Sequence, residues 1–179
     1  MRKITIQDNA FQLSITKRKI SKAIIQLANC MNQNFGEKNP ICLGILNGSF
    51  MFIGDLMKKV TIPCLLSFVK YASYKGTSSS GEVKELIGLE YAIENKSVII
   101  LEDIIDTGTT LTFLKQELAK YQPAHIFTMA LLVKEKAIKN PAIKIDYIGL
   151  VIPDTFVVGY GMDYNGYGRN LADIYQLKS

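Results

Sequence analysis

Five short apolar runs constrain this chain more than any other feature: ICLGIL (41–46), the core of PCLLSFVKYASY (63–74), VIIL (98–101), AHIFTMALLV (124–133) and YIGLVI (147–152). FMFIGDLMKKV (50–60) and TLTFLKQELAKY (110–121) lie between them and read as helices, the second stopped by Pro123. Near-continuous apolar strands alternating with helices predict an α/β fold, a mostly parallel central sheet covered by helices on both faces. A further amphipathic helix is expected over 13–34 from Leu13, Ile20, Ile24, Leu27 and Met31. Residues 86–93 read as a short strand pairing back, and FVV (156–158) as one more strand. With 179 residues, and neither an internal repeat nor a linker-like segment, the expectation is a single domain over 1–179.

The formal net charge of +5 suits an anionic ligand, phosphate or nucleic acid alike, and does not choose between them. The densest basic run, KRK at 17–19, reads as solvated surface charge. Cys30, Cys42 and Cys64 are odd in number, lack C-x-x-C spacing and sit among apolar neighbours, so they read as buried free thiols in a reducing compartment. MRKITIQDNA lacks the apolar core of a signal peptide, and no run approaches the ~20 apolar residues of a membrane span. A soluble, cytoplasmic protein without a membrane partner is expected.

The run VIIL leads straight into Glu102 and Asp103, then Ile104, Ile105, Asp106 and the turn Thr107-Gly108-Thr109-Thr110. In open α/β sheets ligands bind beyond the carboxyl ends of the strands, which is where these acids fall. Alternation along a strand sends Glu102 and Asp103 to opposite faces if the extended backbone persists. An unpartnered carboxylate after a buried run is costly, and ribose hydroxyls or a divalent cation would relieve it. The turn opens a helix whose N–H groups, hydroxyls and positive dipole end together suit a phosphate. The bland reading is an acidic helix cap supplied by Asp106 or Thr107, with no ligand. The G-x-x-x-x-G-K-[ST] loop is absent.

As a unit, V-I-I-L-E-D-I-I-D-T-G-T-T resembles the phosphoribosyl-diphosphate (PRPP) signature of type I phosphoribosyltransferases, in the form of the hypoxanthine-guanine enzymes. The resemblance implies that fold, with a small hood built from the N-terminal segment and residues 153–179, and a flexible flap loop. Glu102 and Asp103 would hold the ribose hydroxyls. Residues Asp106, Thr107, Gly108, Thr109 and Thr110 would hold the 5′-phosphate, with Asp106 also the general base near the purine N7. LNGSFMFIGDL (46–56) resembles the diphosphate loop, in which an unusual peptide conformation at Leu46, Asn47 and Gly48 aims N–H groups at the diphosphate. Asn47 stands where the family usually carries Lys or Arg, so a positive side chain is missing there.

Three further segments extend the resemblance, which runs from about residue 41 to 177. SYKGTSSSGEVK (73–84), a polar Gly/Ser loop, is similar to the catalytic flap through Ser73 and Tyr74. Lys134, by itself a solvated lysine past a strand, matches the lysine that donates to the purine 6-oxo group. An ammonium can only donate, so this residue argues against adenine. In FVVGYGMDYNGYGR (156–169), Phe156 would stack on the purine opposite Ile104, and the backbone of Val157 would meet the base edge. Asp163 would lie at the purine and metal site, and Arg169 would reach the diphosphate.

The implied activity is Mg2+-dependent transfer of ribose 5-phosphate from PRPP to N9 of a 6-oxopurine. The ion would be held by Glu102, Asp103 and Asp163, in a homodimer or homotetramer with no nucleic-acid partner. The alternatives are a PRPP-sensing, nucleic-acid-binding regulator on the same fold, and an enzyme of the same class using xanthine or another base. A regulator would want a basic patch with aromatics or an added recognition domain, and neither is visible in the sequence.

Overall fold

The computed structural model describes residues 2–73, 83–140 and 142–178. Its N-terminal part departs from the expected helix over 13–34. Lys3–Ile6 (β1) and Asn9–Ile15 (β2) pair as an antiparallel hairpin, and the helix begins only at Lys17 (α1, Lys17–Asn34). The reason lies in the change of period. Phe11, Leu13 and Ile15 alternate along β2, with Phe11 and Ile15 buried, whereas Ile20, Ala23, Ile24, Leu27 and Met31 follow helical spacing. Thr16 marks the junction: its backbone is extended and its hydroxyl accepts from the Lys19 N–H at 3.3 Å. Lys17, Arg18 and Lys19 are exposed on the first turn.

The expected strand over 41–46 is Ile41–Ile45 (β3), buried along its whole length, and Phe50–Met57 (α2) follows after a short loop. Leu65–Ser73 (β4), Ser97–Ile105 (β6), His125–Val133 (β7) and Tyr147–Val151 (β8) complete a parallel set. Val83–Ile87 (β5) is antiparallel to β4 and closes that edge, so the returning strand lies earlier than 86–93. The sheet order is β5-β4-β3-β6-β7-β8. Thr109–Ala119 (α3) crosses from β6 to β7, and a 3-10 turn at Glu135–Ala137 follows β7.

Helices cover both faces, as the buried strands require. Ile99 and Leu101 of β6 pack with α1 and α2 through Ile24, Met31, Phe52 and Leu56. Val98 and Ile100, the alternate residues, pack with Leu111, Leu114 and Leu118 of α3. Each such fully buried aliphatic side chain contributes roughly 1.5–3 kcal/mol of transfer free energy. Of the three free cysteines only Cys42, on β3, is fully buried, while Cys30 and Cys64 are partly buried. No helix among the described residues is long and apolar enough to cross a membrane.

A second sheet stands beside the first, in the order β1-β2-β10-β9, where β9 is Val157–Val158 and β10 is Ile174–Leu177. Phe156 falls just before β9, although its carbonyl still accepts from the Leu177 N–H at 2.8 Å. β10 has no counterpart in the sequence expectations. It is a strand because β2 and β9 flank it, Ile174 pairing with Ile15 and Tyr175 with Val158. This sheet places the segment between β9 and β10 across the carboxyl ends of β3, β6 and β7.

Candidate active site

β6 does not stop at Leu101. On one side its pairing with β3 ends at Gly44↔Leu101, but on the other it stays paired with β7 through Ile105↔Val133. Glu102 and Asp103 therefore remain in extended backbone and face opposite ways. Glu102 faces the turn that opens α3, and the Asp103 carboxylate packs against Gly48, where an added Cβ would overlap it. They are 9% and 8% exposed, far too buried for solvated carboxylates.

Burial, followed by the neighbouring Asp103 charge, pushes the Glu102 carboxyl well above its usual range, and its Oε2 has no hydrogen-bond partner. Burial likewise raises Asp103, to about 6. Its own and the Ile104 backbone N–H groups and the nearby Arg169 guanidinium hold it back, whereas Asp163 adds to the rise. Two adjacent buried carboxyls, one with an orphaned oxygen, are what hydroxyl donors or a divalent cation would stabilise.

The turn after β6 differs from a side-chain cap. Gly108 occupies the N-cap of α3 in left-handed backbone (φ +76°), a conformation glycine adopts without the Cβ penalty, and it offers no side-chain cap; the Thr107 hydroxyl reaches the Thr109 N–H at 3.5 Å. The first N–H groups of a helix lack intrahelical partners. The Thr107 and Thr109 hydroxyls lie 3.0 Å apart beside them. Residues Thr107, Gly108, Thr109 and Thr110 line a small hollow of about 90 Å3 together with Glu102 and Asp106. Asp106 turns its carboxylate to Lys134 instead of capping the helix, Oδ2 accepting from Nζ at 2.8 Å.

Glu102, Ile104, Asp106 and Thr110 are shared between this hollow and a larger cleft of about 380 Å3. Leu46, Asn47 and Gly48 reach the cleft from the loop between β3 and α2, where the Leu46–Asn47 peptide bond is cis. Asp103 enters it from β6 and Lys134 from the end of β7. Phe156, Val157, Asp163 and Arg169 close it from the second sheet. Residues drawn from four separate sequence segments thus converge on one cleft.

Several side chains differ in detail from their sequence reading. Lys134 is not a solvated lysine: its side chain is 7% exposed and also pairs with Asp154 Oδ1 at 3.4 Å. Both carboxylate oxygens of Asp163 are engaged, Oδ1 by Arg169 Nη2 at 2.6 Å and Oδ2 by the Gly166 N–H at 2.7 Å. Among the described residues no group of three or more His, Cys, Asp or Glu side chains is close enough to hold a metal by itself. Glu102, Asp103 and Asp163 therefore do not form a protein cage, an arrangement compatible with Mg2+, which keeps waters and takes substrate oxygens. Ser73 ends β4, and Tyr74 lies outside the described residues. Ile45 and Met162 also line the cleft, as apolar residues that carry no motif signal. Asp154, which joins Lys134, follows Pro153 as one acid in an ordinary turn.

Comparison with known proteins agrees with this geometry. The family model described as the phosphoribosyl transferase domain matches residues 12–165. A Lactococcus lactis hypoxanthine-guanine phosphoribosyltransferase is 38% identical over 165 residues, which cover 92% of this chain and 89% of the relative. A bifunctional TilS/HprT protein of Listeria innocua is 39% identical over 92% of this chain, which spans only 25% of that longer relative. A crystal structure of a hypoxanthine phosphoribosyltransferase from Staphylococcus aureus matches with a TM-score of 0.86 at 38% identity, covering 93% of this chain and 91% of that one. The chain belongs to the phosphoribosyltransferase family and has its type I fold.

Proposed function

We propose that the chain transfers the ribose 5-phosphate group of PRPP to N9 of a 6-oxopurine, hypoxanthine or guanine, and releases diphosphate, a step of purine salvage. The observation that carries this reading is one cleft bordered by the buried acid pair, the α3 turn opened by Gly108, buried Lys134 with its partner Asp106, and exposed Phe156. The hypoxanthine-guanine relatives support the same choice of substrate.

In the reaction the C1′–oxygen bond to diphosphate breaks, the N9–C1′ bond forms, and the purine gives up a proton. The α3 turn, with N–H groups that lack intrahelical partners and two threonine hydroxyls, holds the 5′-phosphate, and Glu102 and Asp103 hold the ribose hydroxyls. Arg169 and the backbone of Leu46, Asn47 and Gly48 face the diphosphate. Phe156 and Ile104 sandwich the purine, and Val157 meets its edge. Lys134 donates to the 6-oxo oxygen while Asp106 accepts the proton, a contribution typically of ~10²–10⁴-fold. Holding both substrates in register lowers the barrier further. Mg2+ is the ion implied; Glu102, Asp103 and Asp163 would hold it, and its charge would offset that developing on the leaving diphosphate. The second sheet acts as the hood, and the segment that begins at Ser73 and Tyr74 as the flap that keeps water from the reaction.

The test is kcat/KM for hypoxanthine, guanine, xanthine and adenine with PRPP and Mg2+. Hypoxanthine and guanine are expected to turn over, with adenine disfavoured by on the order of 10³ or more, since its amino group would face the Lys134 donor. Adenine turning over as well as hypoxanthine would refute the role of Lys134. Tight RNA or DNA binding at physiological salt with no turnover would favour the regulator instead.

A further inference from the structure

We infer that Tyr160 and Asp55 form a clamp that positions the loop 46–48 against Arg169, making them positioning residues for the diphosphate end of the donor. The inference rests on the reading of that loop as the diphosphate site. Asp55 lies on α2, the helix that begins just after the loop, and Tyr160 lies between β9 and β10 in the second sheet. Tyr160 Oη donates to Asp55 Oδ2 at 2.6 Å. Burial, followed by the Asp55 carboxylate, pushes the phenol well above its usual range, so it remains the donor. Neither residue lines the reaction cleft; both border a separate cavity of about 530 Å3 beside α1.

The next residue carries the clamp into the cleft. Gly161, in left-handed backbone (φ +100°), lies so close to the Gly48 carbonyl that any Cβ there would overlap its oxygen. Gly161 is also tied twice to Arg169, its N–H donating to the Arg169 carbonyl at 2.9 Å and its own carbonyl accepting from Nη1 at 2.7 Å. Residues 160 and 161 therefore grip one stretch of chain at two points, Gly48 through backbone and Asp55 through side chain. Gly48 in turn rests on the Asp103 carboxylate. The loop is held between β6 and Arg169, and the Tyr160 hydroxyl is the side-chain tie that keeps the second sheet in place over it.

Steady-state kinetics on Tyr160→Phe, Asp55→Ala and Asp55→Asn test the clamp in the full chain. Tyr160→Phe and Asp55→Ala should raise KM for PRPP and the inhibition constant of diphosphate by roughly 5–20-fold, and leave KM for hypoxanthine within about twofold. Asp55→Asn keeps an acceptor for the phenol and should stay within about threefold of wild type. The double variant Tyr160→Phe/Asp55→Ala should be no worse than the worse single one, because both remove the same bond. Hydrogen exchange on the ligand-free protein gives a readout independent of turnover: amides of 46–49 should exchange faster in Tyr160→Phe, and those of 107–110 should not change. An unchanged PRPP KM, an equal rise for both substrates or unaltered exchange at 46–49 would overturn the clamp. A wild-type protein without turnover would overturn the functional reading, with the exchange data still deciding the clamp.

Discussion

Lys134 Nζ lies 2.8 Å from Asp106 Oδ2, and its own side chain is almost fully buried. The strand β7 delivers the ammonium and the end of β6 delivers the carboxylate. The Lys134 backbone N–H also donates to the Ile105 carbonyl at 2.9 Å, which fixes the two strand ends together. A lysine this buried depends on its partners for charge compensation, so Asp106 and Asp154 hold its ammonium where a 6-oxo oxygen would meet it.

Asp106→Asn should lower kcat by about 10²–10⁴-fold while KM for PRPP stays within a few-fold, because the amide cannot accept the purine proton. Single-turnover and steady-state rates with hypoxanthine check this; near-normal turnover would remove Asp106 from the proton step.

The acid pair predicts a pH dependence of unusual sign. The folded-state pKa of Asp103 is about 6, above the 3.8 of a free aspartate, and burial raises Glu102 as well. A raised carboxyl binds more protons in the folded state than in the unfolded one, so stability from this group falls as pH rises from about 4 to about 6 and stays lower above. The loss from Asp103 is on the order of 3 kcal/mol at most. Urea midpoints from pH 4 to 8 on the ligand-free protein should show a component of this sign that Asp103→Asn removes. Mg2+ with PRPP should flatten it by compensating the charge.

Gly48→Ala and Gly161→Ala should both impair PRPP use by at least about tenfold, for different reasons. The first places a methyl on the Asp103 carboxylate; the second places one on the Gly48 carbonyl at a φ that L-residues rarely adopt. Isothermal titration with PRPP and Mg2+ checks both, and wild-type affinity in either would contradict the close packing.

Thr16→Ala removes the hydroxyl that caps α1 and should cost about 1 kcal/mol, read as a lower urea midpoint, with kinetics unchanged because the cap is remote from the cleft.

Much of the site was legible locally. The acids of VIILEDIID, the turn at 107–110, the Gly48 loop and the 156–169 segment each carry their chemistry in short runs, and all reach the cleft. The parallel strands were legible because burial on both faces leaves unbroken apolar runs. The hairpin β1–β2 and the strand β10 were not, because they are short and half-polar, and β2 and β10 are joined to each other across more than 150 residues of sequence.

Which groups are available is written in the chain locally, since residue chemistry and backbone preference are local: an acid pair like that of the PRPP-binding signature, a glycine able to enter left-handed backbone at 108, and a lysine past a strand. The tertiary structure alone decided how they meet. It buried Lys134 against the half-exposed carboxylate of Asp106, and it left Glu102 Oε2 without a partner. It also pressed Gly161 onto Gly48 and tied Tyr160 to Asp55 across 105 residues. Such contacts depend on strand order and on the placement of one sheet over another, which follow from burying both sheets together and leave no trace in any single stretch of chain.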